Sequence, residues 1–202
     1  MEVKRFLEKL SAEAATPGGG SASALVGAIS ASLVAMVAGL TVKKNRTNPK
    51  GMETIRKNGL SIQRRLVQAI DEDSKSFEAV MKAFRLPRNS EKDRLRRVRE
   101  IQTAYRKATL TPQLVCRHSL QLLEHSRTLI LKGNPNAISD AGVAAFLADA
   151  ALTGGLLNIQ VNLASLTEKT YARKMDVLMR HWARKRGQLM KAILKELIDR
   201  IS

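Results

Sequence analysis

Between Glu13 and Lys43 the chain carries no charged side chain, in a 202-residue sequence whose formal net charge is +17. A second stretch, residues 133–167, has no Lys or Arg and only Asp140 and Asp149 as acids. The segments around them are strongly basic. This partition limits the possible folds. Uncharged stretches of such length must bury themselves against other elements, whereas basic periodic segments keep one face in water. The first stretch is long enough to cross a bilayer, but Ala, Gly, Ser and Thr make it a weak insertion signal, so no membrane is expected. Its small residues (Ser23, Gly27, Ser30, Ala31, Ala38) suit a central helix with neighbours packed close to its backbone.

Hydrophobic residues at 44% are too many for a disordered tail, and aromatics at 3% argue against an RNA-reading sheet that stacks bases on its face. The length fits a single domain, residues 1–202, with a core of its own. Cys116 is the sole cysteine. No internal disulfide can form, and a reducing, cytoplasmic setting is expected. Lys4, Arg5, Glu8 and Lys9 leave no unbroken apolar run for a secretory signal in the first ten residues.

Breaks divide the remainder. A short amphipathic helix is expected from Val3 to about Ala14, then a break at Thr16-Pro17-Gly18-Gly19-Gly20-Ser21. The small-residue helix follows to about Lys44, and a loop from Asn45 to Gly51. A long helix runs to about Leu86, ahead of Pro87. Ser90 with Asp93 offers a cap for the next helix, which continues to about Lys132 with a kink or break at Pro112. Gly133-Asn134-Pro135-Asn136 breaks the chain again. Helices follow from near Ser139 to about Thr167 and from about Thr170 to Ile201. No strand-like alternation of useful length occurs. The expected architecture is all-α, a bundle of about five long helices around the small-residue one.

In the long helix, the apolar stripe runs Ile55, Gly59, Ile62, Leu66, Ala69, then Phe77, Val80, Phe84. Asp73 fills the gap in it, while Asp71 and Glu72 point elsewhere. A carboxylate on that stripe loses solvation, which raises its pKa and suits it to acid/base chemistry. The plainer reading is an ion pair with an Arg or Lys of a neighbouring helix. Asn158 and Asn162, four apart, share a face and offer two amides to one ligand, or a helix–helix hydrogen bond. Asp140 falls in the first turn after a loop, where the helix dipole favours an acid. Gly18-Gly19-Gly20-Ser21 opens a helix whose free N–H groups could receive a carboxylate or phosphate, although it is not a P-loop. His118, His125 and His181 have no partners at metal-ligand spacing, so no metal site is expected. The basic clusters Arg94, Arg96, Arg97, Arg99 and Arg184, Lys185, Arg186 are solvated faces or a surface for a polyanion.

Four blocks in order resemble one family. They are Thr16-Pro-Gly-Gly-Gly-Ser-Ala-Ser-Ala24 with its helix ending Leu40-Thr-Val-Lys-Lys44, Asp71-Glu-Asp-Ser-Lys-Ser-Phe77 with Met81-Lys-Ala-Phe-Arg-Leu-Pro87, Gly133-Asn-Pro-Asn-Ala-Ile-Ser-Asp-Ala-Gly-Val143, and Asn158-Ile-Gln-Val-Asn-Leu163. The family is that of cyclodeaminases and cyclohydrolases of tetrahydrofolate. The sequence departs from it after Val42, where a Gly before the basic pair and an aromatic after it are usual. The resemblance implies an all-helical homodimer that acts on one-carbon tetrahydrofolates, with Asp73 as the catalytic acid/base. It further implies substrate contacts from Gly18, Gly19, Gly20, Ser21, Lys43, Lys44, Asn134, Asn136, Asp140, Asn158 and Asn162. The substrate would be a folate, polyglutamylated in cells, and no cofactor would be needed. Hydrolysis of 5,10-methenyltetrahydrofolate is the expected reaction and formimidoyltetrahydrofolate cyclodeamination its sister. From charge alone, a helical protein that binds nucleic acid or another polyanion is the rival class.

Overall fold

The computed structural model describes residues 2–44 and 49–201, which form seven α-helices and no strand. In chain order these are α1 (Val3–Leu10), α2 (Gly19–Lys44), α3 (Pro49–Phe84), α4 (Glu91–Ala108), α5 (Leu110–Lys132), α6 (Ile138–Ala164) and α7 (Lys169–Ile201), with a 3-10 turn, Pro135–Ala137, ahead of α6. The all-α bundle expected from the sequence is therefore what forms, with six long helices rather than five. The extra helix arises at Thr109, which separates α4 from α5 and places Pro112 in the first turn of α5. A proline is tolerated there, because the first N–H groups of a helix lack intrahelical acceptors.

Four boundaries differ from expectation, one of them the end of α6 at Ala164, three residues short of Thr167. Helix α1 stops at Leu10, four residues early. Helix α2 begins inside the glycine run, at Gly19, and Ala22 N–H already donates to Gly18 O at 2.9 Å. Helix α3 starts at Pro49, so Pro49–Gly51 belong to its first turn. The rest of the expected loop, Asn45 to Asn48, lies outside the described residues. The cap at α4 forms as its sequence indicates: Ser90 Oγ accepts from Asp93 N–H at 3.1 Å, and Asp93 Oδ2 accepts from Ser90 N–H at 3.3 Å.

Helix α2 is the centre of the bundle, flanked by α3 and α6 and backed by α5. It runs antiparallel to α6. Gly27 lies against Ala151, and Ser30 Oγ donates to Ala144 O at 2.7 Å. Farther along, Asn134 N–H donates to Thr41 Oγ1 at 2.9 Å. Small residues permit this approach. A methyl on Gly155 would meet Cys116 Sγ at 2.7 Å, and one on Gly59 would meet Ala31 O at 3.1 Å. Gly19–Lys43 and Pro135–Ala164 are long and apolar enough to cross a membrane, yet both place Ala-rich faces in the main core: Ala24, Ala28, Ala31 and Ala38 against Ala141, Ala144, Ala148 and Ala151.

A second, smaller core forms where the end of α3 meets α4, from Val80, Ala83, Ile101, Ala104 and Ala108 with Tyr105 against them. This changes the meaning of the α3 stripe. Up to Ala69 it faces the main core, with Leu66 and Ala69 fully buried, whereas beyond Asp73 its Phe77 and Phe84 are exposed. The seam between the two cores opens there as a cavity.

Candidate active site

The cavity has a volume of about 290 Å³ and lies between the start of α2, the second half of α3 and the ends of α4 and α6. One wall is polar: Gly18, Gly19, Gly20, Asp73, Ser76, Asn158, Asn162 and Ser165. The other is apolar and aromatic: Phe77, Val80, Met81, Phe84, Tyr105 and Val161. A cavity with an apolar body and a few converging polar groups is the usual form of a small-molecule site.

Asp73 reaches the cavity from the middle of α3 and rests on the first turn of α2. Ser21 Oγ donates to its Oδ2 at 2.9 Å, and the Ser21 backbone N–H also bonds the carboxylate. That N–H is one of the unpaired donors of a helix start, where the dipole favours negative charge. The anion that the glycine run was expected to receive is thus, in part, the protein's own carboxylate. Gly20 makes the approach possible. A methyl there would lie 2.6 Å from Asp73 Cγ and 2.7 Å from Oδ2, far inside contact distance.

Two opposing effects set the proton affinity of Asp73. Burial is the larger and raises its pKa above the usual carboxylate range, while the Ser21 side-chain and backbone hydrogen bonds pull it partly back. No cation pairs with it among the described residues, so the plainer ion-pair reading does not hold. Its neighbour Glu72 does pair, through two 2.9 Å bonds from Arg65, and Asp149 accepts from Arg186 of α7 at 2.5 and 2.8 Å. Asp73 thus differs from these two acids in lining a cavity while its carboxylate is held by a hydroxyl and a backbone N–H rather than a cation.

The amides split between binding and structure. Asn162 Nδ2 donates to Ala108 O at 3.1 Å, the helix–helix bond anticipated as its plain role, and it ties α6 to the end of α4. Asn158 Nδ2 donates to Gly154 O within its own helix at 2.8 Å, which leaves Oδ1 as its acceptor for a ligand. Both line the cavity.

Of the residues singled out in the sequence, Gly18, Gly19, Gly20, Asp73, Asn158 and Asn162 therefore converge, and Ser21 sits directly behind Asp73. The others do not. Lys43 is exposed at the far end of α2, about 36 Å from Gly19 along the helix at 1.5 Å per residue. Lys44 closes that helix, and its side chain is outside the described residues. Asn134 and Asn136 shape the 3-10 turn, with Asn134 Oδ1 accepting from Asn136 N–H at 3.1 Å. Asp140 takes the first-turn position in α6 expected of a helix-start acid. Conversely, the sequence reading missed Ser76, Met81, Tyr105, Val161 and Ser165, and took Phe77 and Phe84 for core. The available signal was scarcity: the chain has seven aromatic residues, and Phe77, Phe84 and Tyr105 line this one cavity. Among the described residues no three His, Cys, Asp or Glu side chains converge as metal ligands would.

Residues 2–181 match the sequence profile of a family described as formiminotransferase-cyclodeaminase. A methenyltetrahydrofolate cyclohydrolase of Methylorubrum extorquens is 36% identical over 174 residues, covering 85% of this chain and 84% of that one. The formimidoyltransferase-cyclodeaminase of Mus musculus is 28% identical over 174 residues, but the match spans only 32% of its length. Among solved structures, the formiminotetrahydrofolate cyclodeaminase of Thermotoga maritima superposes with a TM-score of 0.89 at 26% identity, over 100% of this chain and 98% of that one.

Proposed function

The chain belongs to the formiminotransferase-cyclodeaminase family, and from that premise we propose that it serves one-carbon tetrahydrofolate metabolism as a 5,10-methenyltetrahydrofolate cyclohydrolase. The relative bearing that activity in its name matches along most of both chains. The observation that carries the reading is Asp73: a half-buried carboxylate, raised in pKa, without a protein counter-ion, and open to a cavity. The methenyl bridge is a delocalised cation joining N5 and N10, and a cationic substrate would supply the charge partner that the protein does not.

The chemistry follows from that pairing. Water attacks the methenyl carbon while the Asp73 carboxylate takes a proton from it, forming a C–O bond and a neutral carbinolamine. Asp73, now protonated, returns the proton to one of the two nitrogens. The carbon–nitrogen bond breaks, the hydroxyl becomes the formyl carbonyl, and one proton is released overall. A pKa above the usual carboxylate range helps both halves, since the same group must accept and then donate. Ser21 holds the carboxylate in place, and Asn158 Oδ1 and Asn162 stand where pterin edges would need partners. The substrate is a tetrahydrofolate derivative and this scheme asks for no further cofactor.

The cyclodeaminase reaction is the second reading, favoured by the match to the Thermotoga protein across the whole chain. There the free folate nitrogen closes onto the formimidoyl carbon and ammonia leaves, with Asp73 moving the same protons. Purified protein offered each substrate separately distinguishes them: loss of the methenyl absorbance is expected without ammonia release. Turnover of formimidoyltetrahydrofolate alone would reverse the assignment, and turnover of neither would remove both. The same proposal includes a cytoplasmic homodimer and polyglutamylated folates as the cellular substrate, whose acidic tails the basic outer helices would attract.

A further inference from the structure

Arg97 lies outside the cavity, on the far side of one of its wall residues. Its Nε and Nη2 both donate to Phe84 O, at 3.2 and 3.1 Å, and its guanidinium lies 5.5 Å from the centre of the Phe84 ring. Phe84 is the last residue of α3, so its carbonyl is one of those that the helix leaves unpaired, and a cation there also suits the dipole. Tyr105 meets the same ring edge-on, with centroids 6.2 Å apart and planes at 86°. The ring is thus held from two sides, yet Phe84 remains 41% exposed and lines the cavity, together with Phe77 at 39% and Met81 at 37%. Exposed apolar side chains in a row on one helix, steadied from behind, are a preorganised surface awaiting a flat apolar face.

Spacing defines what fits. Asp73 and Phe84 are eleven residues apart on the same side of α3, which is about 16 Å at 1.5 Å per residue. That interval holds a reacting carbon in contact with the carboxylate and one fused ring system ending against Phe84. The opposing wall carries Asn158, Asn162 and Ser165, so the group between needs flat apolar faces and hydrogen-bonding edges. Of the two rings joined by the one-carbon bridge, the pterin has both features and the aminobenzoyl ring lacks the edges.

We infer that Phe77, Met81 and Phe84 form the platform for the pterin of the substrate, and that Arg97 is a positioning residue which fixes the Phe84 ring by stacking on it and capping its carbonyl. The inference rests on the folate reading above and adds the orientation of the substrate and a role for one of the chain's many arginines. Lysine cannot replace Arg97 in this role, because it lacks the planar fork that binds a carbonyl twice while lying on a ring.

Arg97→Lys, Phe84→Leu, Phe84→Met and the double variant Arg97→Lys/Phe84→Leu test it, each checked for helicity and melting temperature. The readouts are kcat, KM for the methenyl substrate and Kd for unreactive 5-formyltetrahydrofolate. Arg97→Lys and Phe84→Leu are expected to raise KM and Kd about five- to tenfold with kcat within about twofold. The double variant should be no worse than Phe84→Leu, because Arg97 acts through that ring. A reduced pterin should compete for the wild-type site, and p-aminobenzoylglutamate should not. Additive losses that fade at high salt would make Arg97 a mere attractor of the acidic tail and overturn the inference. So would unchanged KM and Kd in both Phe84 variants, or competition by p-aminobenzoylglutamate alone. Wild-type turnover and its loss in Asp73→Asn are read in the same series, so failure of the folate reading itself would be seen separately.

Discussion

At its start α2 presses Gly20 against the Asp73 carboxyl group and opens on a cavity; at its end, about 36 Å away, the same helix offers Lys43 to solvent and Thr41 to the backbone of Asn134. Both ends carry polar residues that the sequence marks as candidates. At the far end three of them have structural places: Asn134 and Asn136 form a turn, and Asp140 sits in a first helical turn. At the near end one acid lacks a cation and is held by a hydroxyl and a helix-start N–H beside an aromatic wall. Polar residue type is common to both ends. What differs is a carboxylate, raised in pKa by burial, that faces an enclosed space.

Asp73→Asn should show the largest effect. It keeps the shape and the Ser21 hydrogen bond but cannot take a proton, so turnover should fall about 10²–10⁴-fold, as removal of a general base does. Folding should not suffer. A carboxylate whose folded pKa is raised contributes stability at low pH that is lost as pH rises through the folded pKa, so at neutral pH the charged form is a burden. The melting temperature of Asp73→Asn at neutral pH is therefore expected to equal or exceed that of the wild type. A stable variant with undiminished turnover would erase the distinction between the two ends.

Next is Gly20→Ala. The added methyl overlaps the Asp73 carboxyl group, so either the carboxylate or the first turn of α2 must move. Displacement of about 1 Å at a reacting group costs on the order of 100-fold in rate. The expected result is a kcat loss of that size with KM changed less, measured beside Gly187→Ala, where the methyl meets nothing within 4 Å.

How much of this was readable beforehand depends on which contacts are local. Asp73 was legible because helical periodicity alone puts it on the α3 stripe, and the α4 cap because Ser90 and Asp93 are three residues apart. The closeness of Gly20 to Asp73 was not, since it needs the crossing of α2 over α3, which no spacing within either helix encodes. Phe77 and Phe84 resume the apolar period in phase after Asp73, so nothing in that period distinguished cavity wall from core. The change occurs because α3 passes from one hydrophobic core to another, and that depends on where α4 folds back. Lys43 and Asp140 were grouped with the Asp73 site by family pattern, and pattern carries no distance.

Ser21→Ala should have a moderate effect that shows chiefly in pH dependence. Its hydroxyl bond favours the charged form of Asp73, so removal should move the acidic limb of the kcat/KM profile to higher pH. The backbone N–H of residue 21 remains, and above the limb the rate should stay within about tenfold of wild type, the hydroxyl being an orienting group. A limb moved to lower pH would show that the hydroxyl bonds the protonated acid instead, and Asp73 would then start the reaction as donor.

The smallest effects are expected from Lys43→Ala, Asn136→Ala and Asp140→Asn. If each site is built within one chain, these positions, none of which lines the cavity, should alter kcat and KM by no more than about twofold, as substitutions away from a site generally do. The comparison between the two ends would break in one informative way. In a two-fold homodimer that sets the end of α2 from one copy against the start of α2 in the other, the same residues would complete the neighbour's site and their loss would be large. Mixing decides it: subunits carrying Asp73→Asn and subunits carrying Asp140→Asn, each poorly active alone, would regain activity on exchange, because one site in each mixed dimer would hold both intact residues. A one-chain site gives no such gain, since Asp140→Asn subunits would already be nearly fully active and Asp73→Asn subunits would stay inactive in any pairing.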